Sequence, residues 1–162
     1  MSYDINIVDP TTGETIETAD PHHIAGGTYQ VGGTTRLWLN ITYNYSRFYY
    51  RAETLGESTK IYGEKPVNGC LPVLREEYGG IPGLEHLSVS QARERVLRAI
   101  NALRDEDIDE HGNPYQPIET FDGGMLHAAS YWAPTERNAR RALKNLLAIL
   151  LLAPDNAKIQ IN

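Results

Sequence analysis

Hydrophobic and polar residues alternate at the start of the chain, with Tyr3, Ile5 and Ile7 set between Asp4 and Asn6. A period of two is that of a half-buried strand. Asp9-Pro10-Thr11-Thr12-Gly13 has the composition of a turn, so residues 14–18 are expected to return as a second strand before Asp20-Pro21 breaks the pattern. The clearest alternation covers residues 36–45. Leu37, Leu39, Ile41, Tyr43 and Tyr45 fall on one face of an extended chain, and Trp38, Asn40, Thr42 and Asn44 on the other. Residues 47–55 suit a short helix packing Phe48, Tyr49 and Leu55. Residues 56–69 read as loop, and a weaker helix is expected over 71–78, closed by Gly79-Gly80.

Downstream the period lengthens. Ser88-Val89-Ser90-Gln91 is a capping box, with serine at the N-cap and glutamine at the third helical position. Behind it Val89, Ala92, Val96, Leu97, Ile100 and Leu103 recur at helical spacing as far as the acidic Asp105-Glu106-Asp107. A second helix is expected to open at Pro134, a residue favoured at the first helical position, with a stripe through Ala139, Ala142, Leu143, Leu146, Leu147 and Leu150. The polar stretch between them is long for a structureless loop in a compact domain, which marks residues 105–133 as a functional loop or an insertion. The pattern therefore predicts a single α+β domain over residues 1–162. A β-rich N-terminal antiparallel sheet (1–50) packs against two principal C-terminal helices, 88–104 and 134–152.

Composition narrows the function. The 162 residues can bury a real core. The net charge of −6 and the lack of any run of four Lys or Arg exclude DNA and RNA as partners. A small anion stays open, since a few aimed N–H groups and one arginine suffice to hold it. The longest apolar run, residues 146–153, is well short of the ~20 residues of a membrane span. A single cysteine, Cys70, excludes an internal disulfide, and Met1-Ser2-Tyr3-Asp4 has no signal-peptide pattern, so a cytoplasmic protein is expected.

Half of the aromatic residues lie between Tyr29 and Tyr50, behind two copies of Gly-Gly-Thr, at 26–28 and 32–34. Glycine pairs let a backbone approach a ligand closely. Gly27 and Thr28 are candidates to contact a phosphate, although a plain β-hairpin explains the same residues. The motif lacks the Lys-Ser/Thr ending of a P-loop and the spacing of a dinucleotide fingerprint. Trp38, Asn40, Thr42, Asn44 and Tyr45 offer amides, a hydroxyl and flat rings, a set suited to a small polar ligand; the alternative is a solvated sheet face with Tyr45 in the core. At the second helix, Asn138, Arg140 and Arg141 stand where free backbone donors attract anions. Asp20, His22 and His23 are weaker candidates for acid–base or metal chemistry, because adjacent residues of a strand point to opposite faces. Asp107-Ile108-Asp109-Glu110-His111-Gly112 imitates an EF-hand opening but has Ile118 where glutamate is required. No catalytic constellation, metal site or cofactor is indicated.

Tyr3-Asp4-Ile5, Val8-Asp9-Pro10, Pro21-His22-His23, the stretch from Gly26-Gly27-Thr28-Tyr29 through Leu39-Asn40-Ile41-Thr42-Tyr43-Asn44-Tyr45, and Tyr131-Trp132-Ala133-Pro134-Thr135-Glu136-Arg137-Asn138-Ala139 with the leucine helix behind it resemble an uncharacterised family of small tailed-phage and prophage proteins. About half of the chain takes part. Arg137 stands where that family has glycine, residues 105–130 exceed its connection, and the tail Ala157-Lys158-Ile159-Gln160-Ile161-Asn162 differs. The resemblance implies an accessory protein of the infected cell. Phage proteins of this kind act as sponges for the nucleotide signals of host defence, cyclic dinucleotides and cyclic ADP-ribose derivatives among them. The expected partner is a small polar ligand such as a cyclic nucleotide, bound by a homo-oligomer without catalysis. The alternatives are a protein–protein inhibitor of host defence or a phage structural accessory protein, anchored by the tyrosine-rich strand.

Overall fold

The computed structural model describes residues 1–22, 33–62, 74–77 and 79–162, with the backbone alone at 59–62 and 74–77. The fold is α+β. Its central antiparallel sheet has the order β4-β1-β9, formed by β1 (Ser2–Val8), β4 (Trp38–Thr42) and β9 (Lys158–Ile161). The register pairs Ile5 with Leu39 on one side and with Ile161 on the other, and Ile7 with Ile159. Strand alternation therefore collects Ile5, Ile7, Leu39, Ile41 and Ile159 on one face, all essentially buried. Each is worth about 1.5–3 kcal/mol when fully buried.

Two helices cover that face, α2 (Val89–Ala102) and α3 (Glu136–Leu152). The capping box of α2 forms as expected, with the Gln91 N–H donating to Ser88 Oγ at 3.2 Å and the Ser88 N–H to Gln91 Oε1 at 3.1 Å. The helices run antiparallel and exchange arginines. Arg93 of α2 donates to the Leu150 and Ala153 carbonyls at the end of α3, and Arg140 of α3 to the Ile100 carbonyl at the end of α2. Each cation thus meets carbonyls at the negative dipole end of its neighbour. No helix among the described residues is long and apolar enough to cross a membrane.

Several local expectations fail for identifiable reasons. The strand expected to run to Tyr45 stops at Thr42, whose hydroxyl accepts the Asn44 N–H at 3.3 Å and caps a 3₁₀ turn, Tyr43–Tyr45. The turn leads straight into the short helix α1 (Ser46–Tyr49). The return strand β2 (Glu17–His22) runs through Asp20-Pro21, which was expected to break it. Its pairing with β3 (Thr34–Arg36) is irregular between Glu17 and His22, and a proline without an N–H is tolerated there. The segment expected as loop contains β5 (Thr59–Tyr62), and the weak helix over 71–78 is instead β6 (Leu74–Glu77), paired antiparallel to β5. Eight residues cannot sustain a helix alone, so the partner strand decides. Residues 105–133 include a hairpin, β7 (Ile118–Glu119) and β8 (Met125–Leu126). In α2, Leu97 is half exposed and Ala99 takes its place on the buried stripe; α3 begins at Glu136, with Thr135 as its N-cap and Pro134 ahead of it.

Two tyrosines, Tyr45 and Tyr49, tie the layers together. Tyr49 is buried and donates to the Ala139 carbonyl of α3 at 2.8 Å, and its ring meets Tyr45 edge-on at 6.3 Å. Burial pushes both phenols well above the ordinary tyrosine range, and burial beside Tyr3 pushes Tyr50 up to about 12. An unfolded chain ionises these groups near pH ~10, whereas the folded chain holds their protons. The stabilisation is therefore complete below about pH 10 and is lost as pH rises from there through the folded values. In absorbance titration at 295 nm, Tyr45 and Tyr49 should ionise only well above the ordinary tyrosine range and together with loss of circular dichroism.

Candidate functional site

Three residues singled out from the sequence, Asn44, Tyr45 and Asn138, converge on one turn, and they bind it with hydrogen bonds. Asn44 Nδ2 donates to the Trp132 carbonyl at 2.7 Å, and the Tyr45 hydroxyl to the Tyr131 carbonyl. Asn138 Nδ2 donates to the carbonyls of Ser130 and Ala133 at 2.9 and 3.0 Å, while its Oδ1 accepts from Arg141 at 3.0 Å. Asn138 is 3% exposed and Tyr45 not at all. Their polar atoms are spent on the chain itself and are not free to hold a ligand.

The sheet candidates are likewise internal. Asn40 is 4% exposed and donates both amide hydrogens, to Ser2 Oγ at 2.8 Å and Asp4 Oδ1 at 2.7 Å. Its Oδ1 is buried with no partner among the described residues. Thr42 is buried as the cap of the 3₁₀ turn, and Trp38, partly exposed, shares the Asn40 face of the sheet. Gly27, Thr28, His23 and Cys70 lie outside the described residues. His22 donates from Nε2 to the Arg36 carbonyl at 2.8 Å, and Asp20 is exposed with no bond to it among the described residues. Asp109 accepts the N–H groups of His111 and Asn113, bonds that lower its pKa while closing its own loop. No cluster able to hold a metal ion occurs among the described residues.

The start of α3 does not offer the free donors expected of it. The Glu136 N–H donates to Ile108 O and the Arg137 N–H to Glu106 O, both at 3.0 Å, and the Asn138 N–H to Thr135 Oγ1 at 3.2 Å. An anion there would have to displace protein acceptors. Glu136, 3% exposed, sits between the Arg104 N–H at 3.0 Å and Arg51 at 3.5 Å, which adds a negative charge to the helix start. The cations lie further along. Arg137, Arg140, Arg141 and Lys144 follow helical spacing on one side of α3, and with Asp105 and Asn145 they line an open cleft of about 300 Å³.

The four cations are not equivalent. Arg137 is neutralised by Asp105 at 3.2 Å and Asp107 at 2.8 Å. Arg140 uses only Nε on Ile100. Arg141 lies over the ring of Tyr131, 4.5 Å from its centroid, and that ring is 43% exposed. Lys144 is exposed and has no hydrogen bond or ion pair among the described residues. The chain matches no protein-family profile, no curated protein and no solved structure. Arg140 and Arg141 belonged to the expected set, whereas Tyr131, Arg137 and Lys144 did not. The i, i+3, i+4, i+7 spacing of the basic residues was the signal that would have found Arg137 and Lys144.

Replacing Asn138 with alanine leaves the Ser130 and Ala133 carbonyls without that donor, so Asn138→Ala should cost about 2 kcal/mol in urea unfolding. Lys144→Glu should stay within about 0.5 kcal/mol, as expected of an exposed position. Equal stability of the two variants would contradict the structural role given to Asn138.

Proposed function

We propose that this protein is a non-catalytic binder of a small anionic ligand of the nucleotide class, held in the α3 cleft. The observation that carries the reading is Arg141 stacked on the exposed Tyr131 ring beside two cations, Arg140 and Lys144, that no carboxylate neutralises among the described residues. In a chain of net charge −6, such a cluster is a local reversal of sign. A guanidinium fork suits phosphate oxygens, and Lys144 adds a point charge. A planar base stacked on the ring would contribute about 1–3 kcal/mol. Among the described residues, the cleft's one carboxylate, Asp105, is paired with Arg137, and no serine, cysteine or histidine lines it. That chemistry favours binding over turnover.

The resemblance to phage proteins supplies the cellular reading. A cytoplasmic binder of this kind would sequester a nucleotide immune signal, a cyclic dinucleotide or cyclic ADP-ribose derivative, and act as an anti-defence sponge. Native mass spectrometry of the purified protein, with a thermal-shift panel of these nucleotides, tests it. One class should raise the melting temperature, bind more weakly as salt is added, and emerge chemically intact on denaturation. Lys144→Glu should weaken it about tenfold, the effect of roughly 1.4 kcal/mol. A panel without any shift, or equal affinity in Lys144→Glu, would sink the proposal, and an altered nucleotide would replace it with an enzyme. A second reading, protein–protein contact, is favoured by the exposure of Phe121, Met125 and Trp132.

A further inference from the structure

The β7–β8 hairpin presents Phe121 to solvent from a turn that is already fixed. Thr120 donates its N–H to the Gly124 carbonyl at 2.7 Å and its hydroxyl to Asp122 at 2.5 Å, and the Gly123 N–H returns to Thr120 O at 3.0 Å. The base is held by the Tyr115 hydroxyl on the Leu126 carbonyl at 3.1 Å. Phe121, at the tip, is fully exposed, and two exposed carboxylates, Glu119 and Asp122, flank it. Bonds from Thr120 and Gly124 keep Asp122 ionised at lower pH than usual. A large apolar ring on an ordered turn loses little conformational entropy on binding, which is the property of an interface anchor.

The same chain carries the complementary surface. The α3 cleft of about 300 Å³ is cationic at its rim, and the long aliphatic stems of its arginines and lysine give it apolar walls. Full exposure of Phe121 means that the hairpin does not fill the cleft of its own chain. We infer that the hairpin of one molecule docks in the α3 cleft of a second copy, with Phe121 against the aliphatic stems and Glu119 and Asp122 facing Arg140 and Lys144. The contact is head-to-tail, so it leaves a hairpin and a cleft free at the two ends and propagates into a ring or a chain. A single hairpin tip buries little surface, so the association is weak and salt-sensitive. A nucleotide in the cleft would compete with it, but the docking does not depend on the nucleotide reading.

Sedimentation velocity over a range of protein concentrations, without added nucleotide, tests the inference. The wild-type chain should form dimers and larger species that dissolve in high salt. Phe121→Ser leaves every hydrogen bond of the turn in place, and Lys144→Glu changes an exposed residue. Each should weaken association about tenfold or more. Mixed together, the two variants should recover a complex, because the intact hairpin of Lys144→Glu still fits the intact cleft of Phe121→Ser. A wild-type monomer at all concentrations, or a mixture no more associated than its components, would overturn the inference. Nucleotide affinity separates the two proposals, since Phe121→Ser should retain it.

Discussion

A backbone that turns through a packed region must find donors for its carbonyls, and the approach to α3 turns without a sheet or helix to supply them. Ser130, Tyr131, Trp132 and Ala133 each present a carbonyl that a side chain satisfies: Asn138 for the first and last, Tyr45 and Asn44 for the middle pair. These bonds fix where Thr135 stands as N-cap, and hence the rotation of the helix that follows. They also hold Tyr131 where its ring can lie under Arg141. The polar residues of the tyrosine-rich segment thus act on the cleft at one remove, through the turn they grip.

The cations of the protein divide by what they hold. Arg93 and Arg140 join the two long helices through their carbonyl ends, Arg51 offsets the buried Glu136, and Arg137 is matched by two aspartates. Such contacts spend charge on architecture. On one side of α3, Lys144 and the outer edges of Arg140 and Arg141 share a cleft and are not held in this way.

The elements with strong period were legible in the sequence. Both long helices, the capping box of α2 and the strands around Ile5 and Leu39 follow from spacing alone. The misreadings fall where long-range partners decide. Leu74 to Glu77 becomes a strand because Thr59 to Tyr62 pairs with it, and Tyr43 leaves the extended pattern because the Thr42 side chain captures a neighbouring N–H. At the site, polarity was legible but purpose was not. Asn40, Asn44 and Asn138 carry the amide donors a ligand would need, and only the positions of Ser2, Asp4 and the 130–133 carbonyls show those donors to be occupied. The strand β9 was not among the elements expected from the sequence: its four residues alternate too briefly to mark a strand, and its apolar positions gain their meaning only where they meet Ile5 and Ile7.

That pairing joins segments from opposite ends of the sequence, with Asp4 and Asn162 exchanging backbone bonds of 2.9 Å in each direction. Closing so long a loop costs entropy before any contact repays it. The two helices can meet early through neighbouring segments, whereas the outer strand of the sheet waits for nearly the whole chain. Until it arrives, β1 exposes one row of unpaired amides beside Ile5 and Ile7, an adhesive edge on an otherwise assembled core. Slow completion of the sheet, and not weakness of the helices, is where this fold is most open to mispairing.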